Sequence, residues 1–120
     1  MKVKRIKKTL KLDKKDFYHK HLEVINPFLP IKLTPKEIEV LAEFLNLEGD
    51  LKEDIFGTTA RKVVKGNLNI SAGGLGNYLK SLKQKGFIYK KYGALFISQV
   101  VLPSEFEQEY HFKILNYEQK

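Results

Sequence analysis

The sequence predicts an α+β fold, in which several short helices precede a small β-hairpin, in a chain of 120 residues. Two observations indicate the helices: capping residues precede stretches in which apolar residues recur every three or four positions. A third indicates the hairpin. The short runs 87–90 and 94–101 are rich in β-branched and aromatic residues and flank Lys91-Tyr92-Gly93. The length suits one domain, and an apolar content of 42% can form a modest core.

The first part of the chain, residues 1–32, predicts a basic segment and a short helix. Ile6, Leu10 and Leu12 share one parity in residues 3–12, which fits a strand with a basic outer face or a flexible arm. Asp13 can cap the helix that follows. Asn26-Pro27 stops this helix, because proline removes a backbone donor.

The middle of the chain carries the clearest helix signal. Thr34, Pro35 and Glu37 form a capping box with proline at the first helical position, which predicts a helix over 35–47. A polar loop over 48–57 is expected next, because it contains two glycines.

Two more helices are predicted before the hairpin. Thr58 or Thr59 can cap a helix that runs to about Lys65, and Ser71 can cap another that Gly86 terminates. The side chains of these helices that are expected to face the core are those of Ala60, Val63, Val64, Leu75, Tyr78, Leu79 and Leu82.

The last part, residues 102–120, predicts a C-terminal extension that packs on the same domain. A capping pattern at 104–107 favours a short helical turn. The alternation of apolar and polar residues over 110–115 then favours a final strand.

The charge is distributed unevenly along the chain. The formal net charge is +8, and no Asp or Glu occurs between Ile55 and Ser104. The cations of that stretch are Arg61, Lys62, Lys65, Lys80, Lys83, Lys85, Lys90 and Lys91. Binding of phosphates needs such a local excess, which favours nucleic acid first and an anionic membrane surface second. Net charge by itself fits a lysine-rich soluble protein equally well.

Several function classes lack any signal. The absence of cysteine excludes disulfides, thiolate metal sites and a cysteine nucleophile. His19 and His21 are two positions apart, which is poor geometry for one metal on a helix. No nucleotide-binding or hydrolase motif occurs, so we expect no enzyme, no cofactor and no metal.

The expected location follows from the absence of targeting and membrane patterns. No apolar run approaches the roughly 20 residues that span a bilayer, so no membrane association is expected. The basic N-terminus lacks the apolar stretch of a secretory signal. We therefore expect a cytoplasmic protein, in a host cytoplasm or a virion if it is phage-encoded.

One contiguous pattern resembles a known superfamily. Leu68-Asn69-Ile70-Ser71, followed by a helix with Leu75, Leu79 and Leu82 and then by Gly86-Phe87-Ile88, resembles the core of winged helix-turn-helix proteins. The resemblance covers about residues 33–101. It implies a recognition helix over 71–85 and a wing over 87–101.

The resemblance also implies a function and a set of contacts. It implies a DNA-binding regulator or replication factor of bacterial or phage type, which binds duplex DNA chiefly through its phosphates. The residues expected to contact nucleic acid are Arg61, Lys62, Ser71, Gly73, Gly74, Asn77, Lys80, Ser81, Gln84, Lys90, Lys91 and Tyr92.

The first turn of the expected recognition helix departs from the superfamily. Superfamily members often have polar or basic residues there, whereas this chain has Ala72, Gly73, Gly74 and Gly76. Such residues cannot read bases with side chains. They fit close approach of the helix backbone to phosphate, tight packing against another protein, or simple tolerance.

Other interpretations stay open. Tyr89, Tyr92 and Phe96 can stack on bases or pack across the hairpin. The basic arm can follow a groove, protect a sheet edge or bind an acidic surface. The alternative to DNA binding is an assembly protein of a virion or another large complex, which uses a winged helix to dock a protein partner or a second copy. RNA binding is a weaker third possibility.

Overall fold

In the computed structural model, which describes residues 2–118, five helices precede a two-stranded antiparallel sheet. This arrangement confirms the α+β class and is compatible with a winged-helix-like layout. Met1 and residues 119–120, at the outer ends of the expected arm and extension, lie outside the described residues. The elements are α1 (Lys14–Ile25), α2 (Pro35–Leu45), α3 (Asp50–Glu53), α4 (Thr58–Leu68), α5 (Ala72–Gln84), β1 (Ile88–Lys91) and β2 (Ala94–Ile97).

Helix α1 begins and ends where the sequence predicts. The Asp13 carboxylate accepts a hydrogen bond from the Asp16 N–H at 2.9 Å. After the helix, the Asn26 side chain donates to the Leu33 carbonyl at 2.9 Å and accepts from the Leu33 N–H at 2.7 Å. Asn26 therefore fixes the connection that leads into α2.

Helix α2 lies at the centre of the fold and contacts α1, α4 and α5. Its capping box is present: Thr34 Oγ1 accepts from the Glu37 N–H, and Glu37 Oε1 accepts from the Thr34 N–H. The helix ends at Leu45 rather than at 47. Its apolar residues Val40, Leu41 and Phe44 are completely buried, which makes α2 the middle of the core.

The segment between α2 and α4 differs from the prediction. The expected loop over 48–57 contains the one-turn helix α3. The expected threonine cap of α4 is wrong, because Gly57 holds the capping position and Thr58 is already helical. Helix α4 also continues past Lys65 to Leu68, where Asn69 ends it in the left-handed conformation with φ of 53°.

Helix α5 has the predicted cap at each end. Ser71 Oγ accepts from the Gly74 N–H at 3.0 Å. At the other end, the Phe87 N–H donates to the Leu82 carbonyl and the Gly86 N–H to the Lys83 carbonyl, both at 3.0 Å. These two bonds form a Schellman motif, which requires the positive φ of Gly86.

The hairpin follows at once and packs against α5. Ile88 pairs with Ile97 and Lys91 with Ala94, so the connecting turn is Tyr92-Gly93. Both turn residues have positive φ, which is the geometry of a type I′ turn. The second strand is shorter than predicted, because a 3₁₀ turn replaces it over Gln99–Val101.

The predicted strand over 110–115 and the predicted helical turn over 104–107 are wrong, because neither is present in the described residues. Residues 3–12 form no strand either, which leaves the arm as the alternative that stays a prediction. A strand needs a neighbour to bond with, and in residues 2–118 the sheet consists of β1 and β2 alone. No helix in the described part is long and apolar enough to cross a membrane.

The C-terminal extension is instead held on α1 by aromatic side chains. His21 is buried, its Nε2 donates to the Val101 carbonyl at 2.9 Å, and its Nδ1 lies 2.6 Å from the Tyr110 hydroxyl. Since Nε2 carries the proton, Nδ1 accepts from Tyr110. Phe112 stacks on Phe28 with ring centroids 4.1 Å apart. The extension therefore packs on the domain without secondary structure.

Candidate nucleic-acid interface

A basic groove lies between α4 and α5. It is an open cleft of about 280 Å³. The residues that line it are Thr58, Arg61, Lys62, Lys65, Ala72, Leu75, Gly76 and Leu79. Three of these are cations, and none of them is an acid. We call this feature the basic groove.

The spacing of residues in α4 forms the cationic wall. Lys65 is four positions after Arg61 and three after Lys62, so it lies on the same side of the helix as both. Ala60 and Val64 face the core from the other side. Arg61 is further fixed because its Nε donates to the Phe56 carbonyl at 2.8 Å. Its remaining guanidinium donors can reach a ligand.

Helix α5 forms the other wall and an exposed face. Leu75, Leu79 and Leu82 are buried against the core. The residues on the exposed face follow at intervals of four, three and four positions, which is the repeat of one helix side. They are Gly73, Asn77, Lys80 and Gln84, all solvent-exposed, with Gly76 beside them at the groove.

The glycines of α5 do not all serve the fold. A Cβ atom at Gly73 or Gly76 would meet nothing within 4 Å, whereas a Cβ at Gly74 would lie 3.1 Å from the capping Ser71 Oγ. Neither Gly73 nor Gly76 has positive φ. Glycine in a helix costs about 0.5–1 kcal/mol relative to alanine. The chain therefore loses stability at two exposed positions without any gain inside the fold.

Three of the expected contacts are engaged within the fold. Ser81 Oγ donates to Glu37 Oε2 at 2.6 Å, so Ser81 faces α2 rather than the exposed side of α5. Ser71 is exposed, but its hydroxyl caps α5. Gly74 supplies the N–H for that cap. These three residues thus cap α5 or fix its position. The other expected contacts of α5, which are Gly73, Asn77, Lys80 and Gln84, lie together on its exposed face.

The sequence predicted Glu37 only as a member of the capping box, but in the structure it also holds α5 against α2. It is 2% exposed and accepts from Lys85 Nζ at 2.6 Å, as well as from Ser81 and the Thr34 N–H. Burial by itself would raise the pKa of Glu37, but these hydrogen bonds outweigh burial and hold the pKa below its ordinary value. The Glu37–Lys85 pair fixes α5 against α2.

The hairpin presents the remaining expected contacts. Lys90, Lys91 and Tyr92 are exposed, and Lys91 Nζ lies 5.4 Å from the centre of the Tyr92 ring. Tyr92 is 94% exposed although its φ of 52° is unfavourable for an aromatic residue. Tyr89 and Phe96 stack on each other across the strands at 5.8 Å, which accounts for these two aromatics by packing.

The cations of this region stay available. Within residues 2–118, none of the ion pairs involves the cations of the groove, of the exposed face of α5 or of the hairpin. Those cations are Arg61, Lys62, Lys65, Lys80, Lys83, Lys90 and Lys91. Lys65 was not among the expected contacts, although its position one turn after Arg61 could have indicated it.

The two buried acids of α2 are withdrawn from solvent. Glu43 of α2 is buried, where Lys15 Nζ lies 3.0 Å from its Oε1 and Asn67 donates to its Oε2 at 3.2 Å. Together with the Glu37–Lys85 pair, this contact neutralises the two buried carboxylates of α2. No protein-family model, no curated protein and no solved structure matches this chain.

Proposed function

We propose that this protein is a non-enzymatic nucleic-acid-binding protein with a winged helix-turn-helix fold, which binds duplex DNA mainly through phosphate contacts. In this assignment α2, α4 and α5 are the three helices and the hairpin is the wing. The observation that carries the proposal is the basic groove, whose lining contains three cations and no carboxylate. A groove of that charge attracts a polyanion, because phosphate binding releases condensed counterions.

Each part of the surface has a separate role in the proposal. Arg61, Lys62 and Lys65 contact phosphates beside the groove. Gly73 and Gly76 let the α5 backbone approach the duplex closely. The longer side chains of α5 reach base edges, and the hairpin cations contact a neighbouring phosphate strand. The α5 side chains in question are Asn77, Lys80 and Gln84, and the hairpin residues are Lys90, Lys91 and Tyr92.

A titration with labelled random duplex DNA at several salt concentrations tests the proposal. For Z phosphate contacts, the logarithm of affinity falls with the logarithm of salt with a slope of about −0.9 Z. The double variant Lys80→Glu with Lys90→Glu is expected to abolish binding at moderate salt. At low salt, where weak binding is still measurable, the slope is expected to be shallower by about one, because Lys90 is the phosphate contact of the two.

The matched control reverses two cations elsewhere. Lys20→Glu with Lys36→Glu changes the net charge by the same amount, and each lysine pairs only with a neighbouring carboxylate on its own helix. This control is expected to retain the salt slope of the wild type. Unchanged binding of the Lys80/Lys90 variant, or equal loss in both variants, would contradict the assignment. Single-stranded DNA and RNA in the same titration test the preference for duplex DNA.

The exposed apolar side chains of the two chain ends favour a second candidate function. Ile6, Phe106 and Ile114 are 84%, 91% and 96% exposed. Single-residue exposure is ordinary, but repeated exposure along two extended segments is typical of protein contact. The second candidate is an assembly protein that docks a partner through this fold. It predicts salt-insensitive association with a protein and no binding of duplex DNA.

A further inference from the structure

The arm, which we define as residues 2–12, carries most of the net charge of the chain. All of its charged residues are cations, whereas the formal net charge of the whole chain is +8. The cations are Lys2, Lys4, Arg5, Lys7, Lys8 and Lys11. The arm therefore concentrates positive charge in a short segment that lies outside the basic groove and the hairpin.

The cations of the arm are not used within the fold. Residues 2–12 are solvent-exposed and form neither helix nor strand. Within residues 2–118, none of the ion pairs involves an arm cation. Every hydrogen bond that a lysine or arginine side chain donates in this part of the chain also comes from a residue outside the arm. A block of like charges without counter-charges is typical of a segment that binds an anionic partner.

The root of the arm is fixed beside the C-terminal end of α4, the helix whose cations line the basic groove. Lys15, three residues after the arm, lies with its Nζ 3.0 Å from Glu43 Oε1. Asn67 of α4 donates to the other oxygen of the same carboxylate at 3.2 Å. Lys65, two residues before Asn67, lines the basic groove. Because eleven extended residues span up to about 40 Å, the arm can reach a nucleic acid that lies in this groove.

Cations lie on both sides of the arm when its backbone is extended. Successive side chains of an extended chain point to opposite sides, and the cations divide equally between even and odd positions. They are Lys2, Lys4 and Lys8 on one side, and Arg5, Lys7 and Lys11 on the other. A flat anionic surface, such as a membrane or an acidic protein face, contacts only one of these sides. A groove with a phosphate strand along each wall contacts both.

The minor groove of duplex DNA fits this two-sided charge. It is about 6 Å wide, so lysine and arginine side chains on both sides of an extended backbone reach the phosphates of both walls. Each strand offers a phosphate about every 3.4 Å along the helix axis, which is more than enough for every cation of the arm. The major groove is about 12 Å wide and suits a helix such as α5 rather than an extended segment.

We propose that the arm lies in the minor groove of duplex DNA, beside the segment that the basic groove holds, and that its cations neutralise phosphates on both walls. The inference rests on the proposed function, since it needs a duplex bound to the domain, and it adds a second contact region. It also names a class of target. A run of A·T pairs narrows the minor groove and strengthens its negative potential, so the arm favours duplexes that contain such runs.

Salt titrations of the full chain with labelled duplex DNA test the arm one side at a time. Two arm variants each neutralise the three cations of one side. The substitutions are Lys2→Gln, Lys4→Gln and Lys8→Gln in one variant, and Arg5→Gln, Lys7→Gln and Lys11→Gln in the other. In each variant the slope of log affinity against log salt is expected to be shallower by about 2.7, as for three lost phosphate contacts. Circular dichroism confirms that each variant is folded.

A control variant and a second duplex complete the experiment. Lys20→Gln with Lys36→Gln and Lys52→Gln changes the net charge by the same amount at lysines that pair with carboxylates, and it is expected to keep the wild-type slope. Two duplexes of equal length, one with a run of A·T pairs and one rich in G·C, test the choice of groove. The wild type is expected to prefer the A·T duplex at least about 5-fold, and a variant with all six arm substitutions is expected to lose this preference.

Three results would overturn the proposal. The first is a wild-type slope in both arm variants. If vesicles of phosphatidylserine and phosphatidylcholine then bind the wild type but not these variants, the partner of the arm is a membrane. The second is a shallower slope in only one arm variant, since a flat anionic partner contacts only one side. The third is an A·T preference that survives all six substitutions.

The Lys80/Lys90 variant separates this proposal from the proposed function. If that variant loses duplex binding while both arm variants keep the wild-type slope, the inference about the arm fails and the proposed function stands. If that variant binds like the wild type while both arm variants have shallower slopes, the proposed contacts of α5 and the hairpin fail and the arm remains a nucleic-acid contact.

Discussion

At the scale of single residues, the carboxylate of Glu37 determines how α5 sits on α2. It is a buried charge with three donors, one of which is the Lys85 ammonium at 2.6 Å. Removing one partner of a buried pair leaves the other charge uncompensated, which costs about 3–5 kcal/mol. Lys85 is itself partly exposed, so the lower end of this range applies.

We expect Lys85→Met to lower the free energy of unfolding by about 3 kcal/mol at pH 7. Because the pKa of Glu37 is lowered in the folded state, its stabilising effect is present above the unfolded pKa near 4.5 and is lost as the pH falls through the folded value. The deficit of the variant is therefore expected to shrink below pH 4.5. Urea unfolding of the wild type and the variant at pH 7 and below pH 4.5 measures this deficit.

Lys83→Met is the matched control for this prediction. Lys83 lies two positions before Lys85, in the last turn of α5, but it is exposed and makes no ion pair within residues 2–118. Its removal is expected to change stability by less than about 0.5 kcal/mol at either pH. Equal losses in both variants would show that the Glu37–Lys85 pair does not hold the two helices together.

These residues also show how far the sequence could predict the site. Thr34 and Glu37 are three positions apart, so their capping box was readable from local spacing. Lys85 is 48 positions from Glu37, and only the packing of α5 on α2 brings them together. The same packing turns Ser81 inward, which the sequence alone could not indicate because both sides of α5 carry polar residues.

At the scale of elements, α5 combines a buried leucine side with an exposed glycine face. Gly73 and Gly76 have helical backbone and open space around them. Alanine at either position therefore fits the fold and removes the entropic cost of glycine. Whatever requires glycine there acts from outside the chain, which in our proposal is the backbone of duplex DNA.

We expect Gly73→Ala and Gly76→Ala each to raise the free energy of unfolding by about 0.5–1 kcal/mol. The same variants are expected to weaken duplex binding, because a methyl group separates the helix backbone from phosphate. Thermal unfolding and DNA titration on the same samples measure the two effects. Opposite signs in stability and binding are the diagnostic result.

Gly66→Ala is the control variant on α4. Gly66 also has open space for a Cβ and does not line the basic groove. It is expected to gain stability without a change in DNA affinity. If Gly73→Ala and Gly76→Ala bind duplex as tightly as the wild type, close backbone approach is not the reason for the glycines.

Elements with a local signal were the ones that sequence predicted well. Caps and apolar periodicity located α1, α2, α5 and the hairpin. The predicted strand 110–115 and the strand alternative for 3–12 failed for a different reason, since alternation describes a strand's faces but not its partner. The expected cap of α4 was Thr58 or Thr59, but the helix already begins at Thr58. Gly57 is the capping residue instead, because glycine can also hold that position.

At the scale of the whole molecule, His21 joins the extension to the helical core. It bonds to Val101 and Tyr110, which are 80 and 89 positions away in sequence. Burial lowers the pKa of His21, and the hydrogen bond to the Val101 carbonyl opposes this only in part. The neutral ring is therefore the form that the folded chain prefers.

We expect the molecule to lose stability as the pH falls below 6.5, the ordinary pKa of histidine. Because the folded-state pKa is lower, the unfolded chain binds the proton first as the pH falls. For this one group, the free energy of unfolding then decreases by up to about 1.4 kcal/mol per pH unit. The loss continues until the pH reaches the folded value. Urea unfolding between pH 7.5 and 5 measures this slope, above the range in which Glu37 titrates.

Two histidine variants assign the slope. His21→Gln keeps a donor and an acceptor but does not titrate, so its stability is expected to change little over this range. His111→Gln removes an exposed histidine and is expected to keep the slope of the wild type. A slope that persists in His21→Gln would place the responsible group elsewhere.

The arrangement of the buried carboxylates of α2 also has a kinetic consequence. Glu37 and Glu43 are held inside by Lys85 and Lys15, while the groove and hairpin cations face solvent without counter-charges within the described residues. A polyanion that diffuses toward this surface meets an attractive field from cations that form no ion pair in the described residues. Encounter is then faster than random collision and slows as salt screens the field, whereas the lifetime of the bound state depends on the short-range contacts.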